Sequence, residues 1–152
     1  MIPVILLVVF LVLLSAASLV SALVSAPGRF LGNTLWFVLG GWTALGYYLV
    51  GAFLCLTIVG IPAGKQIIKI GRVAALPFGL EVQPSPLSGV LCTLGNVLWA
   101  VCFGWEMFLA HLASAVACAA TIVGIPFAMQ HVKLMAVCLV PFGCAVVHPR
   151  SS

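Results

Sequence analysis

The sequence predicts an all-α integral membrane protein: an N-terminal anchor helix followed by two homologous units, each a membrane stretch, a Gly-Pro break and an amphipathic helix. Three observations predict it. Apolar residues make up 64% of the 152-residue chain and charged residues 5%, against about a quarter charged in an average soluble domain. A soluble fold of this size exposes more surface than so few polar side chains can cover. Uncharged apolar runs long enough to cross a bilayer recur, and one set of unusual motifs occurs twice, which marks an internal repeat.

Residues 1–28 form the anchor. Ile2 to Val24 is uncharged, apolar and of membrane-crossing length. A cleaved signal peptide is the competing reading, because Val24-Ser25-Ala26 ends in small residues, but no positive charge precedes the run. Small residues recur every fourth position, as Ser18, Ala22, Ala26 and as Ala17, Ser21, Ser25, so another helix can approach closely.

The first repeat, 29–80, carries Asn33 and Trp36, then Gly41-Trp42, then Thr57-Ile58-Val59-Gly60-Ile61-Pro62, Gln66, Lys69 and Pro77-Phe78-Gly79. The second, 87–147, carries Asn96 and Trp99, Gly104-Trp105, Thr121-Ile122-Val123-Gly124-Ile125-Pro126, Gln130, Lys133 and Pro141-Phe142-Gly143. The offset is 63 between Asn33 and Asn96 and 64 between Thr57 and Thr121, so one extra residue lies between Trp105 and Thr121. Between the repeats, residues 81–86 read as a polar, Pro-rich linker exposed to water, and 148–152 as a tail.

Each unit has a long apolar stretch, about Leu31 to Ile61 and Leu87 to Ile125. Val-Gly-Ile-Pro then interrupts the helix, since Gly lowers helix propensity and Pro removes a donor. Pro62 and Pro126 suit the first turn of the helix that follows. There Lys65, Lys69 and Arg72 share one face, with Ile67, Ile68, Ile70 and Val73 largely on the other. That pattern predicts a helix lying in the interface with its cations at the lipid headgroups. In the second copy His131 and Lys133 are the only comparable groups.

These motifs resemble the YccF-like inner-membrane component family, whose domain runs Asn-x-x-Trp-x-x-x-x-Gly-Trp, an apolar stretch, Thr-Ile-x-Gly-Ile-Pro, Gln, Lys and Pro-Phe-Gly. Both copies together cover about Asn33 to Gly143. The resemblance implies a polytopic plasma-membrane protein of a family without an established activity, and it carries over no catalytic residues. Three departures separate the copies: Gly40-Gly41-Trp42 becomes Phe103-Gly104-Trp105, Gly64 becomes Ala128, and Glu106 stands where the first copy has Thr43.

Two topologies fit. If each apolar stretch crosses once, the repeats are inverted, as in many transporters. If each dips in and returns, with a re-entrant turn near Gly40, Gly41 or Gly46, both repeats face one way. The positive-inside rule favours the second, since all six basic residues then share the cytosolic side.

Functional candidates are few. Glu106 is the acidic residue inside an apolar stretch, where carboxylates are costly; the plainer reading places it at a helix end beside Trp105. A proton relay from Glu106 through His111 is weak, because five residues do not share a helical face. Thr57, Thr121, Gln66 and Gln130 flank the two breaks, where they either satisfy freed backbone groups or form an ion or solute site. Asn33 and Asn96 read as N-caps. Trp36, Trp42, Trp99 and Trp105 read as interface markers.

Net charge is +4, but Arg29, Lys65, Lys69, Arg72, Lys133 and Arg150 are spread too thinly for a nucleic-acid footprint. The partners implied are membrane lipids and, through the small-residue faces, a second copy or another membrane protein. No C-x-x-C pair occurs among the six cysteines, and most sit in apolar runs as small hydrophobes. No phosphate loop, carboxylate pair or nucleophile set is present, so neither an enzyme nor a cofactor or metal site is expected. The leading function is a non-enzymatic structural or accessory membrane component; the alternative is a small channel or transporter.

Overall fold

The computed structural model describes residues 2–85 and 89–148. Pro86, Leu87 and the tail from 149 onward, with Arg150, lie outside the described residues. Helix α1 runs Ile2–Val24, and α2 runs Ala26–Leu39. Ser25 caps α2 by accepting from the Gly28 N–H at 3.4 Å. A tight turn of 3₁₀ helix at Gly41–Thr43 leads into α3, Ala44–Cys55, and after the Gly-Pro break α4 runs Ile61–Ala75. Strand β1 is Glu81–Pro84. In the second repeat α5 (Val90–Trp99), a π segment (Ala100–Gly104) and α6 (Trp105–Ala119) follow one another, then α7 (Ile125–Leu139) and β2 (Cys144–Val147).

The apolar run of α1 and the 30-residue stretch Val90–Ala119 are each long and apolar enough to cross a membrane. In the first repeat the equivalent stretch is bent by 74° between α2 and α3, at the Gly40-Gly41 pair. The bend expected there is present, but the second copy stays continuous. One copy tightens to a 3₁₀ turn where the other widens to a π turn. The path from Trp99 to His111 is correspondingly one residue longer than that from Trp36 to Tyr47.

Helices α3 and α4 form a hairpin, as do α6 and α7. Each hairpin tip is the Thr-Ile-Val-Gly-Ile-Pro motif, and Pro62 and Pro126 stand in the first turns of α4 and α7. A Cβ on Gly60 or Gly124 would collide with the carbonyl of Leu54 or Cys118, which is why the motif demands glycine. The returning helices meet along a core in which Ile70, Val73, Leu134 and Val137 are 0% exposed. Trp36 and Trp99 belong to this core and are buried, which corrects their reading as interface markers. Trp42 and Trp105 are exposed. The outward faces of α1, α3 and α6 are apolar and exposed, with Leu14, Phe53 and Val116 among them, as helices solvated by lipid require.

Within the expected linker 81–86, residues 81–84 form strand β1, antiparallel to β2, with Glu81, Gln83 and Pro84 exposed. The pairing is symmetric under the repeat: Val82 opposes Val146, with Glu81 opposite Val147 and Pro84 opposite Cys144. A near-two-fold axis therefore passes through the sheet. Glu81 and Gln83 are exposed on it, and a two-stranded sheet leaves edge groups unpaired, which hydrocarbon does not tolerate. A sheet placed at the aqueous boundary would set this axis along the membrane normal, with both repeats facing the same way. We expect tags inserted at residues 86–88 and after residue 148 to be labelled by an impermeant reagent from the same side of sealed vesicles. Labelling from opposite sides would mean an inverted repeat.

Candidate functional site

The shared motifs come together where the two repeats close on one another. In each repeat the Asn and the Trp of the first membrane helix grip the end of the returning helix. The Asn33 amide donates to the Phe78 carbonyl at 2.9 Å and accepts from the Phe78 N–H at 3.0 Å. Asn96 makes the same pair with Phe142, both at 2.9 Å. The indole N–H of Trp36 donates to Ala74 O at 2.7 Å, and that of Trp99 to Cys138 O at 2.8 Å. These satisfy backbone groups that a helix end leaves without partners. Asn33 and Asn96 are therefore not N-caps: each lies within its helix and reaches across 45 or 46 residues of sequence. The turn they hold needs glycine, since Gly79 and Gly143 have φ of 93° and 77°.

The lysines exchange between repeats. Lys69 donates to Pro141 O and, at 3.0 Å, to Cys144 O. Lys133 donates to Pro77 O and, at 2.9 Å, to Leu80 O. Each ammonium group thus closes the Pro-Phe-Gly turn of the other copy. This corrects the expectation that Lys69 and Lys133 extend to lipid headgroups. Lys65 and Arg72, also expected there, are exposed.

The residues singled out at the breaks divide into two kinds. Thr57 donates to Leu54 O at 3.0 Å and accepts from Gly60 N at 3.1 Å. Thr121 donates to Cys118 O at 3.4 Å and accepts from Gly124 N at 3.0 Å. Both threonines cap the break. Gln66 and Gln130 do not: the Oε1 atom of each is buried with no hydrogen-bond partner. Glu106 stands exposed in the first turn of α6, and it is not joined to His111.

His111 has other partners. Its Nε2 lies 3.2 Å from the Tyr47 hydroxyl and its Nδ1 lies 3.0 Å from Nδ1 of His131. The His131 ring stands 4.7 Å from that of Trp36. Tyr47 and His111 occupy equivalent positions, 64 residues apart, and meet across the near-two-fold axis. This chain of side chains borders a cleft of about 520 Å³ whose wall includes Trp36, Gly40, Ser114 and Phe127. With both rings neutral, one of the facing Nδ1 atoms donates and the other accepts, and the hydrogen bonds along Tyr47, His111 and His131 then all point the same way. Such an array can pass a proton from one repeat to the other. Among the described residues no three His, Cys, Asp or Glu side chains group to hold a metal. Sequence reasoning misses the array because its members lie 20 and 64 residues apart. The available signal was that Tyr47 and Ile67 become His111 and His131 in the second copy.

The model of the YccF inner membrane component domain matches this chain twice, at residues 31–80 and 94–144. The chain belongs to the YccF inner membrane component family. Among YccF relatives, the inner membrane protein YccF of Escherichia coli K12 is 33% identical over 125 residues, covering 76% of this chain and 84% of the relative. The protein of the same description from Shigella flexneri matches to the same extent. No solved structure matches. As a member of the YccF family the chain is an integral protein of the inner, or plasma, membrane. The two matched segments begin just before the gripping Asn and end at or just after the Pro-Phe-Gly turn.

Removing an exchanged lysine leaves two carbonyls without their donor. Lys69→Met and Lys133→Met should each destabilise the chain by about 1–3 kcal/mol, read as a lowered unfolding midpoint of the detergent-solubilised protein. Lys65→Met, on the exposed face, should leave the midpoint unchanged.

Proposed function

We propose that the chain is a non-enzymatic structural or accessory component of the inner membrane, acting through helix-packing contacts. One observation carries this reading: the polar side chains common to both repeats are mostly consumed in holding the fold. Asn33, Asn96, Trp36, Trp99, Thr57, Thr121, Lys69 and Lys133 all bond to backbone groups of this same chain. What faces outward is apolar helix surface, and small residues such as Ala17 and Ser21 lie exposed along α1. Such a surface packs against a second copy or another membrane helix. The matching family model describes an inner membrane component domain, and the two relatives are described as inner membrane proteins, neither description naming a reaction.

The second reading, a small channel or transporter, draws on the Tyr47–His111–His131 array and on the unpartnered oxygens of Gln66 and Gln130. Intramembrane polar groups of this kind mark proton relays and solute paths in other membrane proteins. With both repeats facing one way, the inverted-repeat argument for transport would fall away, while these groups would remain. Purified wild-type, Glu106→Gln and His111→Leu proteins in liposomes should show no proton, cation or anion flux above empty vesicles across several pH values. Robust flux by the wild type, abolished in His111→Leu, would overturn the accessory role in favour of the second.

A further inference from the structure

Beside the first Pro-Phe-Gly turn lies a second cleft, of about 320 Å³, with Arg29, Tyr48, Arg72 and His148 in its wall. We propose that this cleft binds the phosphate of an anionic lipid headgroup.

The chemistry of the wall selects the ligand. Two guanidinium groups, a phenol and an imidazole face one cleft, and no Asp or Glu lines it. Neither Arg29 nor Arg72 makes an ion pair or side-chain hydrogen bond among the described residues, and the Tyr48 hydroxyl has no partner there. His148 is held in place by its Nδ1, 3.2 Å from Gly79 O. Arginine forks match the geometry of phosphate oxygens and are weakly hydrated, so unpaired arginines converging on a cleft are suited to an oxyanion. The side chain of Arg29 is positioned by packing against Gly79, where any Cβ would crowd its Cδ at 2.8 Å.

The cleft is also a departure from the repeat. The positions equivalent to Arg29, Tyr48 and Arg72 in the second copy are Cys92, Leu112 and Ala136, offset by 63 or 64 residues. All three donors are absent from the second copy, although the turn beside them is preserved. The groups common to both copies hold the fold; these three belong to the first copy alone.

Position selects a lipid over a free ion. The cleft includes Phe78, Gly79 and Leu80, next to β1, so it opens at the aqueous boundary where headgroups lie. Leu76 in its wall is 54% exposed, and Phe30, beside Arg29, is 77% exposed. Apolar surface for acyl chains thus adjoins donors for a phosphate, the pairing that an anionic lipid needs.

The test uses the full chain purified in detergent and titrated with phosphatidylglycerol, phosphatidylcholine or inorganic phosphate. Retained lipid is counted by native mass spectrometry, and the unfolding midpoint is followed in parallel. Phosphatidylglycerol should be retained one per chain and should raise the midpoint. Arg29→Gln/Arg72→Gln should weaken that binding about tenfold or more, equivalent to about 1.4 kcal/mol. Tyr48→Phe, which removes one oxygen and keeps the packing, should weaken it less, and Lys65→Gln should leave it unchanged. The lipid-free midpoint of each variant separates lost binding from lost folding, and Tyr48→Phe is decisive if the double variant fails to fold. Equal retention of phosphatidylcholine would mean that the acyl chains alone are held and would overturn the proposal. So would undiminished binding by the arginine variant, or by Tyr48→Phe where it alone folds. A midpoint raised as far by inorganic phosphate as by phosphatidylglycerol would establish a free-phosphate site in place of a lipid one.

Discussion

The reciprocal exchange of lysines is the interaction on which the rest of the structure depends. Lys69 and Lys133 each cross to the carbonyl-rich end of the other repeat. Those carbonyls follow the C-terminal ends of α4 and α7, where the helix dipole also favours a cation. A buried ammonium group is costly without full hydrogen bonding, and each lysine obtains its partners only when the other repeat is folded beside it. Each copy's final turn therefore takes a donor from the other. The paired strands β1 and β2 extend the same dependence beyond the turn, so the sheet is a consequence of the exchange as much as a support for it.

Within each copy a separate lock acts at shorter range. The Asn side chain reproduces both bonds of a backbone partner, one given and one taken, and the Trp ring fills the space behind it while its N–H takes up a terminal carbonyl. The glycine of Pro-Phe-Gly supplies the left-handed turn that brings those groups within reach. The motif is thus a set of mutually dependent parts, and its spacing is set by the distance from a helix start to the end of the helix that returns to it.

Function, if it resides in side chains, is to be sought where the copies differ. The 3₁₀ bend of the first copy and the π turn of the second give the two hairpins different shapes around the same core. The histidine array arises where His111 and His131 replace the equivalents of Tyr47 and Ile67, and the basic cleft arises on the first copy alone. A duplicated fold that stabilises itself through its common residues leaves the divergent ones free to acquire a role.

Composition, periodicity and the repeat by themselves determined the membrane class, the helical architecture, the two copies and the Gly-Pro breaks. Each of these is a local property: hydropathy, helix propensity and proline geometry act within a few residues. The capping role of Thr57 and Thr121 was legible for the same reason, because its partners lie three residues away. The partners of Asn33, Trp36, Lys69 and His111 were not, since they lie 38 to 75 residues distant for the first three and across the repeat boundary for Tyr47 and His111. A lysine on an amphipathic face reads as a headgroup contact until a second copy presents carbonyls at the right height. Only tertiary structure decided that the two copies interlock, because no local rule links a residue to a backbone group that folding alone brings near.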